Sequence, residues 1–148
     1  MAVADDLDRA TDSAWDWVAE QTRTYLASGG TEGHESDGVR TLILATTGHR
    51  TGDPRRTCLI YGTSGNDFVV VASKGGADAD PAWFKNLEAD PSVGVQAGTR
   101  RFTARAGDAS AVERETLWPM MAEIFPLYDE YAQKTERVIP IVLLTPQD

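Results

Sequence analysis

Three short stretches decide the fold: Thr41-Leu42-Ile43-Leu44-Ala45-Thr46-Thr47, Thr57-Cys58-Leu59-Ile60-Tyr61 and Asp67-Phe68-Val69-Val70-Val71-Ala72-Ser73. Each is five to seven residues long, apolar and rich in β-branched or aromatic residues, which marks a strand. The insert Gly48–Arg56 and the turn Gly62–Asn66 combine Gly with Asp, Pro, Ser or Asn, as hairpin connections do. A three-stranded meander is therefore expected here. Val93–Ala97 and Arg100–Gly107 form a second hairpin around Gly98-Thr99, and Val138–Leu144 reads as a last strand that Pro140 assigns to an edge or a bulge. Consecutive hairpins without β-α-β crossovers predict an antiparallel α+β barrel of about six strands rather than a doubly wound parallel sheet.

The helices sit around these strands. Ala14, Trp15, Val18, Thr22, Tyr25 and Leu26 recur at helical spacing, so a helix is expected over Ser13–Ala27, capped by Thr11, Asp12 or Ser13. The glycine-rich stretch Gly29–Gly38 follows as a loop. Asp80 before Pro81 predicts an N-cap and a short helix to Ala89. Ser110 and Glu113 match a capping box, and Pro119 and Pro126 break or kink the helix that runs on to Lys134.

At 148 residues the chain is one domain, with an N-terminal helix within 1–28 and a barrel region over 29–146. No apolar run approaches the roughly 20 residues of a membrane span. Met1–Asp8 has neither the basic flank nor the apolar run of a targeting peptide, and one cysteine gives neither a disulfide framework nor a multi-Cys metal site; the expected compartment is the cytoplasm. The net charge of −9 disfavours nucleic acid. Its distribution is uneven: residues 41–105 carry eight basic and six acidic side chains, against three and nine in 1–40 and three and eight in 106–148. A basic middle on an acidic chain suits a focused site for a small anion.

The chemistry-bearing segments lie in that middle. Arg50, Arg55 and Arg56 share one strand–loop–strand unit, and guanidinium pairs bidentately with phosphate or carboxylate. Ser73-Lys74-Gly75-Gly76 follows a strand, where glycines admit close backbone approach and leave N–H groups free to face a ligand. Hydrolase, Walker and dinucleotide-binding motifs are absent, and His34 and His49 lack metal-ligand spacing.

Taken together, Thr-Thr-Gly-x-Arg-Thr-Gly-x-Pro-Arg at Thr46–Arg55, Leu-Ile-Tyr-Gly at Leu59–Gly62, Val-Val-Ala-Ser-Lys-Gly-Gly-Ala at Val70–Ala77, Pro-Ala-Trp-x-x-Asn-Leu at Pro81–Leu87 and Tyr-x-x-Tyr-x-x-x-Thr-x-Arg-x-Ile-Pro at Tyr128–Pro140 resemble the deazaflavin-dependent nitroreductase family. The resemblance covers about Gly29–Pro146 and departs from the family's pattern at Cys58, Asp80 and Phe84, where Pro, His and Tyr are usual.

The resemblance implies a split β-barrel like that of FMN-binding proteins and the coenzyme F420, a hydride carrier with a phosphate-linked oligoglutamate tail. By matched position, Arg50, Arg55, Arg56 and Lys74 would hold phosphate and glutamyl carboxylates. Thr57, Cys58, Leu59, Ala72, Ser73, Gly75 and Gly76 would line the ring and ribityl path, and Trp83, Asn86 and Leu87 would close the phosphate side. Tyr128 and Tyr131 fall where the family places tyrosines near the acceptor, as candidate proton donors. The implied activity is F420H2-dependent reduction of a small electron-poor acceptor: a quinone, a conjugated enone or lactone, or a nitro compound. Peripheral membrane contact is expected only for a quinone, and a homodimer would bury edge strands. An FMN-dependent reductase or oxidase on the same barrel, and a non-catalytic F420 carrier, are the alternatives.

Overall fold

The computed structural model describes residues 2–36 and 38–147; Met1, Asp148 and Asp37 of the expected Gly29–Gly38 loop lie outside them. Its strands are β1 (Glu35–Ser36), β2 (Val39–Thr47), β3 (Pro54–Ile60), β4 (Gly62–Ser64), β5 (Asp67–Val71), β6 (Ser92–Ala97), β7 (Arg100–Asp108) and β8 (Ile141–Gln147). The helices are α1 (Asp16–Ala27), α2 (Ala82–Ala89), α3 (Ala111–Ile124) and α4 (Leu127–Gln133), with 3-10 turns at Ala4–Asp8 and Lys74–Gly76. The strands run β3-β2-β6-β7-β8-β5-β4, every ladder antiparallel, and β1 pairs the start of β2. Tyr61 alone separates β3 from β4, so the chain itself joins the two ends of the sheet. The result is a split barrel: β3 pairs β2 only and faces β5 across a gap with no ladder.

The antiparallel α+β barrel is borne out, and its strand order corrects the expected meander. Asp67–Val71 pairs β4 and β8 instead of lying beside β3. Four of its five residues are buried, and a strand apolar on both faces belongs inside a sheet. The corner that carries it there is Gly62, where a Cβ would come 2.8 Å from the Met121 sulfur. Of the eight strands, β1 and β4 are short ladders within stretches expected to be loop and turn. Pro140 is not inside an edge strand either. It precedes β8, which is central, and its carbonyl accepts the Ala72 N–H at 2.9 Å, while its missing N–H falls before the ladder begins.

Alternation along β2 sorts the core into layers. Leu42 and Leu44 point inward with Val70, Val93, Val95, Val142 and Leu144. Phe84 and Leu87 of α2 join this interior, as does the ring series Tyr61–Phe68–Phe102, with centroids 5.4 and 5.0 Å apart. Ile43 and Ala45 point the other way, under Leu7 and Tyr25, and the outer face of β5 and β8 packs against Leu117, Met121 and Tyr128.

Three capping expectations meet different outcomes. Ser110 and Glu113 form the capping box, with bonds of 3.1 and 2.9 Å, and the helix break falls at Phe125-Pro126 while Pro119 stays inside α3. Asp80 does not cap α2, whose N-cap is Pro81; its carboxylate pairs with Arg137 at 3.0 Å, a charged partner that outweighs a neutral N–H. α1 begins at Asp16, because Asp12 is drawn to Arg56 at 2.6 Å and Arg23 at 3.1 Å.

The segment before α1 is a strap that the sequence did not announce. Ser92 donates to the Ala2 carbonyl at 2.6 Å, the Ala4 N–H donates to Thr103 at 3.0 Å, and Leu7 is fully buried. Gly94 leaves room for it, since a Cβ there would stand 2.3 Å from the Val3 oxygen. Thr11 then adds to the outer edge of β3, its N–H on the Pro54 carbonyl and its carbonyl on the Arg56 N–H.

Candidate functional site

The gap between β3 and β5 is bordered by the two groups of residues expected to flank a ligand. On one side Thr11 occupies the outer edge of β3 only at Pro54 and Arg56, so that edge carries no ladder from Cys58 to Ile60. Alternation splits the neighbours there: Leu59 packs against the barrel interior, whereas Cys58 joins the Leu7–Tyr25 layer under α1. Burial pushes the Cys58 thiol up to about 11, so it is a neutral packing group rather than a nucleophile.

On the other side, β5 runs into Ala72-Ser73-Lys74-Gly75-Gly76. Ser73 is right-handed helical (φ −76°, ψ −39°), and Lys74, Gly75 and Gly76 follow at φ 47°, 64° and 84°. A right-handed residue followed by left-handed ones turns successive N–H groups to one concave side, a nest that receives anions. Among the described residues the N–H groups of Ser73, Lys74 and Gly75 bond to nothing, whereas those of Gly76 and Ala77 bond back to Ser73 and Lys74. Lys74 is the only non-glycine residue with positive φ among those described, and glycine behind it is required: a Cβ on Gly76 would lie 2.8 Å from the Tyr131 oxygen.

The cations fall into two groups. Arg50, Arg55 and Lys74 are exposed, and among the described residues none has an ion pair. Arg56 is largely covered; it donates to Asp12 at 2.6 Å and to the Leu7 carbonyl at 2.8 Å, and so ties the strap to β3.

From α2, buried Asn86 reaches the hairpin that carries Arg50. Its Nδ2 donates to Thr46 at 3.0 Å, and its Oδ1 accepts from the His49 backbone at 3.0 Å and from His49 Nδ1 at 2.6 Å. Trp83 is half-buried against the interior cluster, and Leu87 is a core residue. On α4, Tyr128 is buried with its hydroxyl unbonded among the described residues, and burial raises its pKa well above the ordinary phenol value. Tyr131 stands 6.4 Å away, half-buried, with the Lys134 ammonium 5.6 Å over its ring. Through Gly76 the backbone of Tyr131 touches the Lys74–Gly76 turn, so α4 and the nest form one border.

Five residues at three places escaped the sequence reading: Thr46 and His49 as partners of Asn86, the strap residues Leu7 and Asp12 as partners of Arg56, and Arg137 behind the nest. Thr46, His49 and Arg137 stand inside the quoted motifs, but only the fold brings Arg137 to residue 72 or Asp12 to Arg56.

The comparisons with known proteins agree with this construction. The family model for F420H(2)-dependent quinone reductase matches residues 17–146. An F420H(2)-dependent quinone reductase of Mycobacterium tuberculosis is 38% identical over 125 residues, covering 82% of this chain and 84% of that protein. A solved F420-H2 dependent reductase (FDR-A) superimposes with a TM-score of 0.65 at 34% identity, covering 70% of this chain and 92% of that one. A second solved chain, described as a domain-swapped dimer, gives 0.68 at 35% identity, with coverage of 89% and 99%. The resemblance seen in the motifs is borne out, and the chain belongs to the F420H(2)-dependent quinone reductase family.

Proposed function

We propose that this protein is an F420H2-dependent reductase acting on a small electron-poor acceptor of the quinone class. The observation that carries the reading is the nest at Ser73–Gly75 with Lys74 in it, together with the exposed Arg50 and Arg55, which have no ion pair among the described residues. Three N–H groups without a partner and three cations without an ion pair among the described residues fit a cofactor that ends in phosphate and several carboxylates.

When bound, F420H2 supplies a hydride from a ring carbon. Arg50, Arg55 and Lys74 would hold its anionic groups, with Arg56 adding charge from within the strap. The open edge of β3 at Thr57–Leu59 and the backbone of Ala72–Gly76 would line the ring and ribityl path, with Trp83, Asn86 and Leu87 closing the phosphate side. Holding donor and acceptor in register can lower the barrier by roughly 7–11 kcal/mol. The Tyr128 hydroxyl, kept protonated by burial and without a partner among the described residues, would donate to the oxygen that gains charge on the acceptor, with Tyr131 beside it as the second candidate. Among the described residues no helix is long and apolar enough to cross a membrane. Contact with a membrane surface would serve to collect a quinone, and the dimeric relative supports a homodimer. A cytoplasmic location accords with a lone, undisulfided Cys58.

The test is a fluorescence titration with oxidised F420, run beside FMN and beside an Arg55→Ala, Lys74→Ala double variant. Micromolar or tighter F420 binding that weakens in the variant and is absent for FMN is expected. FMN binding without F420 binding would overturn the cofactor assignment. Bound F420H2 that is not consumed by any of a panel of quinones, enones and nitroaromatics would make the protein a carrier instead.

A further inference from the structure

We infer that Arg137 is the positioning residue of the nest: it holds the carbonyls of Ala72, Ser73 and Ala77 from behind, so that the N–H groups of Ser73 and Lys74 turn outward to an anion. The inference rests on the proposed cofactor reading for its consequence in catalysis, but not for its structural part.

Arg137 lies in the segment between α4 and β8, with its side chain only 14% exposed. Nε donates to the Ala77 carbonyl at 2.7 Å, and Nη2 donates to the Ser73 carbonyl at 2.8 Å and the Ala72 carbonyl at 3.2 Å. Nη1 donates to Asp80 at 3.0 Å. Four of the five guanidinium N–H groups are thereby directed at one loop and the residue that leads into α2. A trans peptide points its C=O and N–H in opposite directions. Drawing the carbonyls of Ala72 and Ser73 toward Arg137 therefore turns the N–H groups of Ser73 and Lys74 away from it, and these are two of the three groups left unbonded. The same grip keeps Lys74 at φ 47°, a conformation that a β-carbon disfavours and that surrounding contacts must impose.

Only this side chain has the required shape. A planar fork can reach carbonyls on both flanks of the turn, whereas a lysine ammonium offers its donors from one point. Asp80 is the counter-charge that holds the fork in place. Arg137 reaches the proposed cofactor path only through the carbonyls of Ala72, Ser73 and Ala77, so its effect passes through the loop.

The experiment compares Arg137→Ala, Arg137→Lys and Asp80→Asn with the parent protein in two measurements. The first, without ligand, follows amide exchange at Gly76 and Ala77, whose N–H bonds close the turn, against Val70 and Val142 in the barrel. Exchange at Gly76 and Ala77 is expected to accelerate at least about tenfold in both Arg137 variants, less in Asp80→Asn, with the barrel amides unchanged. The second measures F420 binding and steady-state kinetics. Kd and KM for the cofactor should rise about tenfold or more, with kcat at saturating cofactor nearly retained. Guanidinium ion at tens of millimolar should partly restore Arg137→Ala, whereas sodium chloride at equal ionic strength should not. Unchanged exchange at Gly76 and Ala77 would overturn the inference, as would a loosened turn with unaltered F420 affinity. If Arg137→Ala does not fold, Arg137→Lys and Asp80→Asn decide by the same readings. If the parent protein itself does not bind F420, the proposed function falls, and the exchange measurement alone decides whether Arg137 holds the loop.

Discussion

The Asn86 carboxamide and the His49 backbone and ring form a closed contact: Oδ1 of Asn86 accepts the His49 N–H at 3.0 Å and lies 2.6 Å from Nδ1 of the same residue. Since Oδ1 can only accept, His49 carries a proton on Nδ1, and the hairpin bearing Arg50 is fastened to α2. Asn86 is buried and also donates to Thr46, so Asn86→Ala leaves buried polar groups without partners. That variant should lose about 1–3 kcal/mol of stability by urea denaturation. It should also bind F420 more weakly, because Arg50 is no longer held in place.

Lys74 and Arg56 carry the same charge and should answer differently to removal. Lys74 is exposed and has no ion pair among the described residues, so Lys74→Ala should leave stability nearly unchanged and weaken F420 binding about tenfold or more, with a shallower dependence on salt. Arg56 joins Asp12 and the Leu7 carbonyl, so Arg56→Ala should cost about 1–3 kcal/mol of stability and expose the strap to protease, with a smaller change in Kd. Thermal melts and F420 titrations on the two variants separate the roles; equal loss of affinity without loss of stability in Arg56→Ala would return that residue to the anion grip.

The strap also makes stability depend on acid. Burial opposes ionisation of Asp12, but the Arg56 hydrogen bond and charge, helped by Arg23, outweigh it and hold the carboxyl below its ordinary value. The Arg101 hydrogen bond does the same for Asp8. A carboxyl depressed in the folded state contributes its full stabilisation above the unfolded value near 4, and loses it as pH falls through the lower folded value. Unfolding midpoints should therefore drop as pH falls below about 4. Asp12→Asn should be less stable than the parent at pH 7, and the gap should narrow toward pH 2.

How much of this was legible depended on whether a feature is local. Strand stretches, the Ser110–Glu113 box and the nest-forming Ser73-Lys74-Gly75-Gly76 announce themselves within a few residues, because alternation, capping and backbone freedom are short-range properties. The pairing of β5 with β8 was not legible, since both strands read as apolar runs and only the corner at Gly62 decides which neighbours they take. Asp80 next to a proline looked like a cap; its true partner, Arg137, is far away along the chain. The acidic strap offered no periodicity, and its anchors, Arg56, Arg101, Ser92 and Gly94, are spread over three strands. The candidate site was legible where motif and local geometry coincide, at Lys74 and Asn86, whereas the bonds of Arg56 to Asp12 and Leu7 of the strap leave no trace in the local sequence.

Tyr128 offers a test of the chemistry separate from cofactor binding. Its hydroxyl has no partner among the described residues, yet no fully buried polar side-chain atom there is left unsatisfied, so the hydroxyl itself is not fully buried. Burial favours the neutral phenol, so the group still holds its proton well above pH 9. Tyr128→Phe removes the donor and little else, because the ring continues to pack against Phe125 at 5.0 Å. The F420 Kd should stay within about twofold, and kcat with a quinone should fall by about 10²-fold, the lower range for a positioned proton donor. Between pH 6 and 9 the parent rate should show no loss from deprotonation of this group. Tyr131→Phe is the companion measurement, and if both variants keep full turnover the proton comes from solvent and neither tyrosine acts on the acceptor.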